Sequence, residues 1–269
     1  MQSRSIGFIG AGLMAEALAE GILDSGVVSP DDIYASDPDE KRRQVFRERL
    51  GTEVSAANRR VVRQSDVVIL AVKPQVLPEV AREISKSIEG KHLVISIAPG
   101  VKLASLEQWL GTDRLVRVMP NTPALVGEGA SAFAVEKCVD KGDVDVVETI
   151  LGSVGRCVKV NEELMDAVTG LSGSGPAFLF AALEAMADGG VEAGLSREQA
   201  TELAAQTMRG AATLVLETDT HPAELKDAVT TPAGTTAAGL HALESDGLRA
   251  ALMDAVKAAV EKGRCMGEE

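Results

Sequence analysis

The chain has 269 residues, of which 45% are hydrophobic and 25% charged, with a net charge of −13. That is enough for a substantial core in one large or two ordinary domains, without disulfide staples. The acidic balance argues against general binding to nucleic acid or to an anionic membrane surface, both of which reward basic patches. It leaves room for an anionic small molecule, which feels only its local site.

No run approaches the roughly 18 apolar residues of a spanning helix. Residues 1–10 read as an opening strand rather than a secretory signal, so a cytoplasmic protein is expected. Cys138, Cys157 and Cys265 are widely spaced, and His92, His221 and His241 stand at no ligand spacing from them. Reduced thiols and no metal site are expected. Aromatic residues make up 3% of the chain, which leaves little material for stacking nucleic-acid bases.

In chain order, Ser5–Leu18 joins a short apolar strand to a helix through glycines. Gly10, Gly12 and Ala15 fill the spacing G-x-G-x-x-G/A. The first glycine makes a tight turn, the second lets backbone approach a pyrophosphate, and the small third residue lets the helix pack on the strand. The alternative is a structural turn where a helix packs closely on a strand.

Asp31–Ser36 reads as the second strand, whose end lies beside the adenosine ribose in a doubly wound fold. Asp37 there suits the 2′-hydroxyl of NAD, whereas Ser36 with Lys41, Arg42 and Arg43 suits the 2′-phosphate of NADP. NADP(H) is expected, with NAD(H) as the alternative. A plainer reading makes these basic residues the solvated face of a helix that begins near Pro38, with Asp37 as its N-cap.

Three nearly continuous apolar runs follow, Val67–Val72, His92–Ile97 and Arg114–Met119. They fit parallel strands covered on both faces. They end in Lys73-Pro74, Ala98-Pro99-Gly100 and Pro120-Asn121-Thr122-Pro123. Ligands in such sheets bind beyond the carboxyl ends of the strands, so these loops are candidate site walls, although proline is also an ordinary stop signal. Two more strands, residues 130–135 and 156–160, flank a helix over residues 143–151 and complete the sheet.

Beyond Asn161 the pattern turns helical. Residues 162–169 are helix-like, and after a loop over Gly170–Gly175 Pro176 starts a long Ala-rich helix. Ser196 and Gln199 form a capping box for the next helix, to about Leu216. A short helix opens at His221-Pro222, Thr230–Thr236 interrupts, and two more helices follow. The expected architecture is an α/β Rossmann-like N-terminal domain, residues 1–161, plus an all-α C-terminal dimerisation domain, residues 162–269. The small residues of the later helices allow close packing, most completely satisfied in an intertwined dimer.

The pattern G-x-G-x-x-x-K of β-hydroxyacid dehydrogenases supplies a lysine acid/base, but after Gly173-Ser174-Gly175 this chain has Leu179 at the lysine position. The residues as a set resemble the pyrroline-5-carboxylate reductase family. The resemblance rests on Phe8–Gly12, Ala71–Pro74, Met119–Pro123, Gly170–Ala177 and, most specifically, His221–Thr236. In that last block Ala233 replaces the first glycine of the family's P-G-G-T-T element.

The resemblance implies NAD(P)H-dependent reduction of the cyclic imine 1-pyrroline-5-carboxylate to L-proline, the last step of proline biosynthesis, by a homo-oligomer. It implies that Gly10, Ala11, Gly12, Leu13 and Met14 line the pyrophosphate, Ser36 the 2′ position and Asn58 the ribose. Ala71, Val72, Lys73 and Pro74, with Ala98, Pro99 and Gly100, would line the nicotinamide side. Thr231, Thr235 and Thr236 would hold the substrate carboxylate, with Thr236 nearest the ring nitrogen as the catalytic contact. Glu162 and Asp219 would lie near the substrate. Without the resemblance, the threonine cluster reads as helix N-capping.

Overall fold

The computed structural model describes residues 4–266. By packing it divides into two units, Met1–Ser174 with Ala259–Glu269, and Gly175–Ala258.

The first unit is built on eight strands: β1 (Ile6–Ile9), β2 (Ile33–Ser36), β3 (Glu53–Ser55), β4 (Val67–Leu70), β5 (Leu93–Ser96), β6 (Leu115–Met119), β7 (Gly129–Val135) and β8 (Gly155–Lys159). They form one sheet in the order β3-β2-β1-β4-β5-β6-β7-β8. Every neighbouring pair is parallel except β6 and β7, which run antiparallel.

β1, β4 and β5 are buried at every residue, which is why their sequences are continuous apolar runs: each face meets a helical layer. Alternate side chains supply two cores. Phe8 and Ile69 pack with Leu18 and Ile22 of α1 (Leu13–Asp24) and with Phe46 of α2 (Glu40–Arg49). Ile9, Val68 and Leu70 pack on the other face with Val61 and Val62 of α3 (Asn58–Gln64), Leu77 of α4 (Leu77–Ile84) and Leu106 of α5 (Leu103–Leu110). α6 (Lys141–Gly152) returns the chain from β7 to β8 and adds Val147 and Ile150 to the first core.

Several local expectations shift. The second strand starts at Ile33, because Pro30–Asp32 form a 3-10 turn. The helix after it starts at Glu40, and its N-cap is Asp39, whose carboxylate accepts the Lys41 N–H at 2.9 Å. Asp37 is therefore not the cap. Residues 162–173, read as a helix and then a loop, are helical throughout: a 3-10 turn (Glu162–Leu164), α7 (Met165–Val168) and a π-helical turn (Thr169–Gly173).

This segment packs with the sheet. Met165 is fully buried in the second core, Glu162 pairs with Arg117 of β6 at 3.2 Å, and Asn121 donates to the Ser172 carbonyl at 3.0 Å. The packing boundary thus falls after Ser174, later than residue 161.

The second unit holds α8 (Gly175–Glu192), α9 (Arg197–Thr218), α10 (Pro222–Ala228), α11 (Thr235–Ser245) and the start of α12 (Leu248–Met266). The Ser196–Gln199 capping box is formed in both directions. α8 and α9 meet through Leu183, Ala187, Val191, Ala200 and Ala204. Among the large side chains left exposed on these helices are Leu179, Phe180, Met186, Leu203, Leu214 and Met253. None of the described helices is long and apolar enough to cross a membrane.

Candidate functional site: a glycine cradle and a threonine loop

The strand order reverses at β1 and β4, so the crevice outside their carboxyl ends is the place where such sheets take a ligand. Three expected loops converge there by topology. Gly10 follows β1, Ala71–Pro74 follow β4 and Ala98–Gly100 follow β5. Backbone bonds tie them: Ala71 N–H donates to Ile9 O at 2.8 Å, Ile97 N–H to Leu70 O at 3.1 Å and Gly10 N–H to Ser36 O at 2.7 Å.

Gly10 sits at φ +99°, and a Cβ there would lie 2.7 Å from the Ala71 carbonyl oxygen. Gly12 is the N-cap of α1 and has no side chain to offer the first turn. A Cβ on Gly12 would meet nothing within 4 Å, so the backbone there is open to close approach. First-turn N–H groups of a helix left without a side-chain cap, together with the helix dipole, suit a phosphate. The arrangement fits a dinucleotide pyrophosphate.

The peptide of Ala11 is gripped from both sides. Its N–H donates to Asp37 Oδ2 at 2.9 Å, and its carbonyl accepts from Arg42 Nε at 2.6 Å. Arg42 also pairs with Glu16 at 2.6 Å, and Arg49 pairs with the other oxygen of Glu16 at 2.6 Å. The Ala11 N–H is thus spoken for, leaving Gly12, Leu13 and Met14 as the backbone that faces outward. Leu13 is 64% exposed and Met14 half-buried.

The ribose end differs from expectation. Ser36 is 1% exposed, and its hydroxyl donates to Asn58 Oδ1 at 2.8 Å. It orients Asn58, whose amide donates to Glu83 at 2.7 Å, rather than presenting a hydroxyl at the surface. Arg43 donates to the Asp37 and Pro38 carbonyls and pairs with Glu40. Lys41 is exposed. On the nicotinamide side, Ala71, Val72 and Pro74 are half-buried, Lys73 and Pro99 exposed, and Ala98 buried.

In the second unit, the loop before α11 is shaped by close approach. Gly234 is the N-cap, and a Cβ there would lie 2.2 Å from Thr231 Oγ1, so any larger residue would force the Thr231 side chain to turn away. Gly234 N–H donates to Thr231 O at 3.0 Å. Ala233 adopts φ +55°, a left-handed conformation that costs a side-chain-bearing residue about 1–2 kcal/mol. Among the described residues none is hydrogen-bonded to the hydroxyl of Thr231, Thr235 or Thr236. The N-capping reading is therefore not what the structure displays: α11 has three hydroxyls and its leading N–H groups at a terminus with no side-chain cap.

Both acidic candidates have structural places, and one of them has structural partners. Glu162 accepts the Leu103 N–H at 2.7 Å and pairs with Arg117. Asp219 ends α9 in the left-handed conformation, at φ +51°. Sequence reasoning gave no role to Arg117, which is buried between Glu162 and Asp166, and took Asn121 only as part of a candidate site wall, whereas it bridges Ala130 N–H and Ser172 O. The available signals were a charged residue inside the apolar strand β6 and an asparagine just beyond its end.

Comparison with known proteins bears on both ends. A family model described as pyrroline-5-carboxylate reductase dimerisation matches residues 162–266. Another, described as NADP oxidoreductase, coenzyme F420-dependent, matches residues 5–100. A pyrroline-5-carboxylate reductase of Methanosarcina acetivorans is 51% identical over 271 aligned positions, covering 100% of both chains. The chain belongs to the pyrroline-5-carboxylate reductase family.

A plant member of the reductase family, from Arabidopsis thaliana, is 49% identical over 98% of this chain and 95% of its own. Among solved structures, the reductase of Coxiella burnetii superposes with a TM-score of 0.94 at 36% identity, over 98% of this chain and 99% of its own. That of Plasmodium falciparum, with NADP bound, superposes at 0.88 and 34% identity over 99% of both chains. The family-model boundary at residue 162 follows the sequence pattern, while the packing boundary lies after Ser174.

Proposed function

We propose that this chain reduces 1-pyrroline-5-carboxylate to L-proline with NADH or NADPH, as the last step of proline biosynthesis. The observation that carries the reading is the terminus of α11, where Gly234 provides no side-chain cap and Thr231, Thr235 and Thr236 gather. It is a receptor for a small carboxylate without a lysine or arginine.

Reduction of a cyclic imine needs a hydride at the imine carbon, a clamp on the carboxylate and a proton on nitrogen. When bound, the nicotinamide supplies the hydride. Gly12, Leu13 and Met14 hold the pyrophosphate through backbone N–H groups. Ala71–Pro74 and Ala98–Gly100 bound the nicotinamide side. Thr231 and Thr235 hold the substrate carboxylate, and the Thr236 hydroxyl orients the ring nitrogen. A protonated iminium is already electrophilic, so no strong side-chain acid is required at the hydride step, in keeping with a chain of three histidines.

The enzyme works in this reading as a homo-oligomer, for which the dimerisation-family match and the exposed apolar side chains of α8 and α9 speak. Its three free cysteines go with a cytoplasmic setting.

Purified protein mixed with pyrroline-5-carboxylate and either NADH or NADPH is expected to consume the nicotinamide absorbance and to release proline in equal amount. Absence of turnover with both donors would overturn the proposal. Turnover confined to a six-membered cyclic imine would overturn the substrate assignment and leave the reaction class standing.

A further inference from the structure

We infer that Asp37 makes this chain select NAD(H) over NADP(H). The inference rests on the dinucleotide reading of the glycine cradle and adds to it which form of the adenosine ribose is accepted.

Asp37 directly follows β2, at the position where a doubly wound sheet meets the ribose 2′ substituent. Its carboxylate does not swing freely. Oδ2 accepts the Ala11 N–H at 2.9 Å, and Oδ1 accepts the Asp39 N–H at 2.9 Å. A carboxylate offers about four lone-pair sites. Two are engaged by these backbone bonds, and the others remain for donors.

A ribose 2′-hydroxyl is such a donor. A 2′-phosphate carries only acceptors and negative charge at neutral pH, so against Asp37 it gains no hydrogen bond and meets like charge. Discrimination by a repulsive element of this kind is a general way to exclude a competing ligand.

The cations that would offset this repulsion have other partners. Arg42 is held between the Ala11 carbonyl and Glu16. Arg43 is held by the Asp37 and Pro38 carbonyls and by Glu40. Beside Asn58, Arg59 donates to the Glu83 carbonyl at 2.9 Å and Arg60 pairs with Glu53 at 2.6 Å. Ser36, the expected hydroxyl for a phosphate, is buried against Asn58. Lys41, exposed on the first turn of α2, is the remaining nearby cation of the basic cluster read from the sequence. A relative of the same fold binds NADP, so the choice rests with these side chains and not with the architecture.

The test is equilibrium binding of NADH and of NADPH to the full-length protein without substrate, read by nicotinamide fluorescence, for wild type, Asp37→Asn and Lys41→Ala. Wild type is expected to bind NADH at least about tenfold more tightly, which corresponds to roughly 1.4 kcal/mol. Asp37→Asn keeps one oxygen for the Ala11 N–H, removes the charge and hands the Asp39 N–H, at an exposed residue, to water. It should move the ratio of the two dissociation constants at least about tenfold towards NADPH, with a melting temperature close to wild type. Lys41→Ala should leave the wild-type ratio within about threefold.

Equal or tighter binding of NADPH by wild type overturns the inference, as does an unchanged ratio in a folded Asp37→Asn protein or a large loss of NADPH affinity in Lys41→Ala. If Asp37→Asn does not fold, the wild-type ratio alone still decides. Binding of neither dinucleotide would overturn the cradle reading as well. Binding of both in the opposite ratio, with imine reduction intact, would overturn the selection alone.

Discussion

Gly10 sets its α-carbon so close to Ala71 that a methyl group on it would come within 2.7 Å of the Ala71 carbonyl oxygen. The contact locks the turn after β1 onto the loop after β4 at the point where the sheet reverses its order, and neither partner can yield because the obstacle is backbone. Gly10→Ala would suffer both this clash and the strain of a left-handed φ. We expect it to lose about 2 kcal/mol or more of stability, read by urea denaturation, and to lose most of its dinucleotide affinity. A Gly10→Ala protein of wild-type stability and affinity would show that the turn is not built as described.

A second prediction concerns Thr236. Thr236→Ala removes a hydroxyl that has no partner within the described chain, so the fold should be indifferent. Turnover should fall about tenfold or more through loss of orientation of the reacting group, while dinucleotide affinity stays near wild type. Steady-state rates together with dinucleotide titration separate these. Equal losses in both would point to collapse of the loop instead.

Far from the cradle, Asp143 is fully buried and receives Arg114 through Nε at 2.7 Å and Nη2 at 2.5 Å, with Arg4 at 2.9 Å. Burial pushes its carboxyl up, but the two guanidinium groups together hold it below the usual carboxylate range. A carboxyl depressed on folding contributes stability above its unfolded value, and that contribution is lost as pH falls through the folded one. Asp143→Asn should therefore cost about 1.5–3 kcal/mol at pH 7, the range for hydrogen bonds to charged groups, since both guanidinium groups stay partly exposed to water. The gap to wild type should narrow in strong acid, below the ordinary aspartate range. Denaturant titrations at pH 7 and pH 3 test this, and a gap that widens in acid would contradict it.

Ala233 offers a prediction of the opposite sign. Its left-handed backbone costs about 1–2 kcal/mol relative to glycine, while glycine costs about 0.4–1 kcal/mol through the added freedom of the unfolded chain. Ala233→Gly should be neutral to stabilising by up to about 1.5 kcal/mol. Ala233→Val should unsettle the loop and raise the KM for the imine. A clearly destabilised Ala233→Gly protein would mean that the methyl group packs usefully.

How much of this was readable beforehand follows from which interactions are local. β4, β5 and β6 were legible because a strand covered on both faces must be apolar at every position. β3, three residues at the sheet edge with Glu53 exposed, has no such signature. The N-cap reading of Asp37 failed because Asp37-Pro38-Asp39 offers two equivalent capping carboxylates, and the partner that draws Asp37 away, the Ala11 N–H, lies 26 residues away. The π-helical turn at Thr169–Gly173 was hidden by its two glycines and its serine, which read as loop until packing against the sheet holds them helical. The threonine loop was legible in composition, and its lack of a side-chain cap was not.

Gly12 and Gly234 lead the two helices that are proposed to face the pyrophosphate and the substrate carboxylate. A chain of net charge −13 thereby meets two anions with fixed backbone dipoles, which have no counterions to shed. Ionic strength should have a shallow effect on affinity for either ligand, in contrast to the steep fall seen where lysine and arginine do the holding.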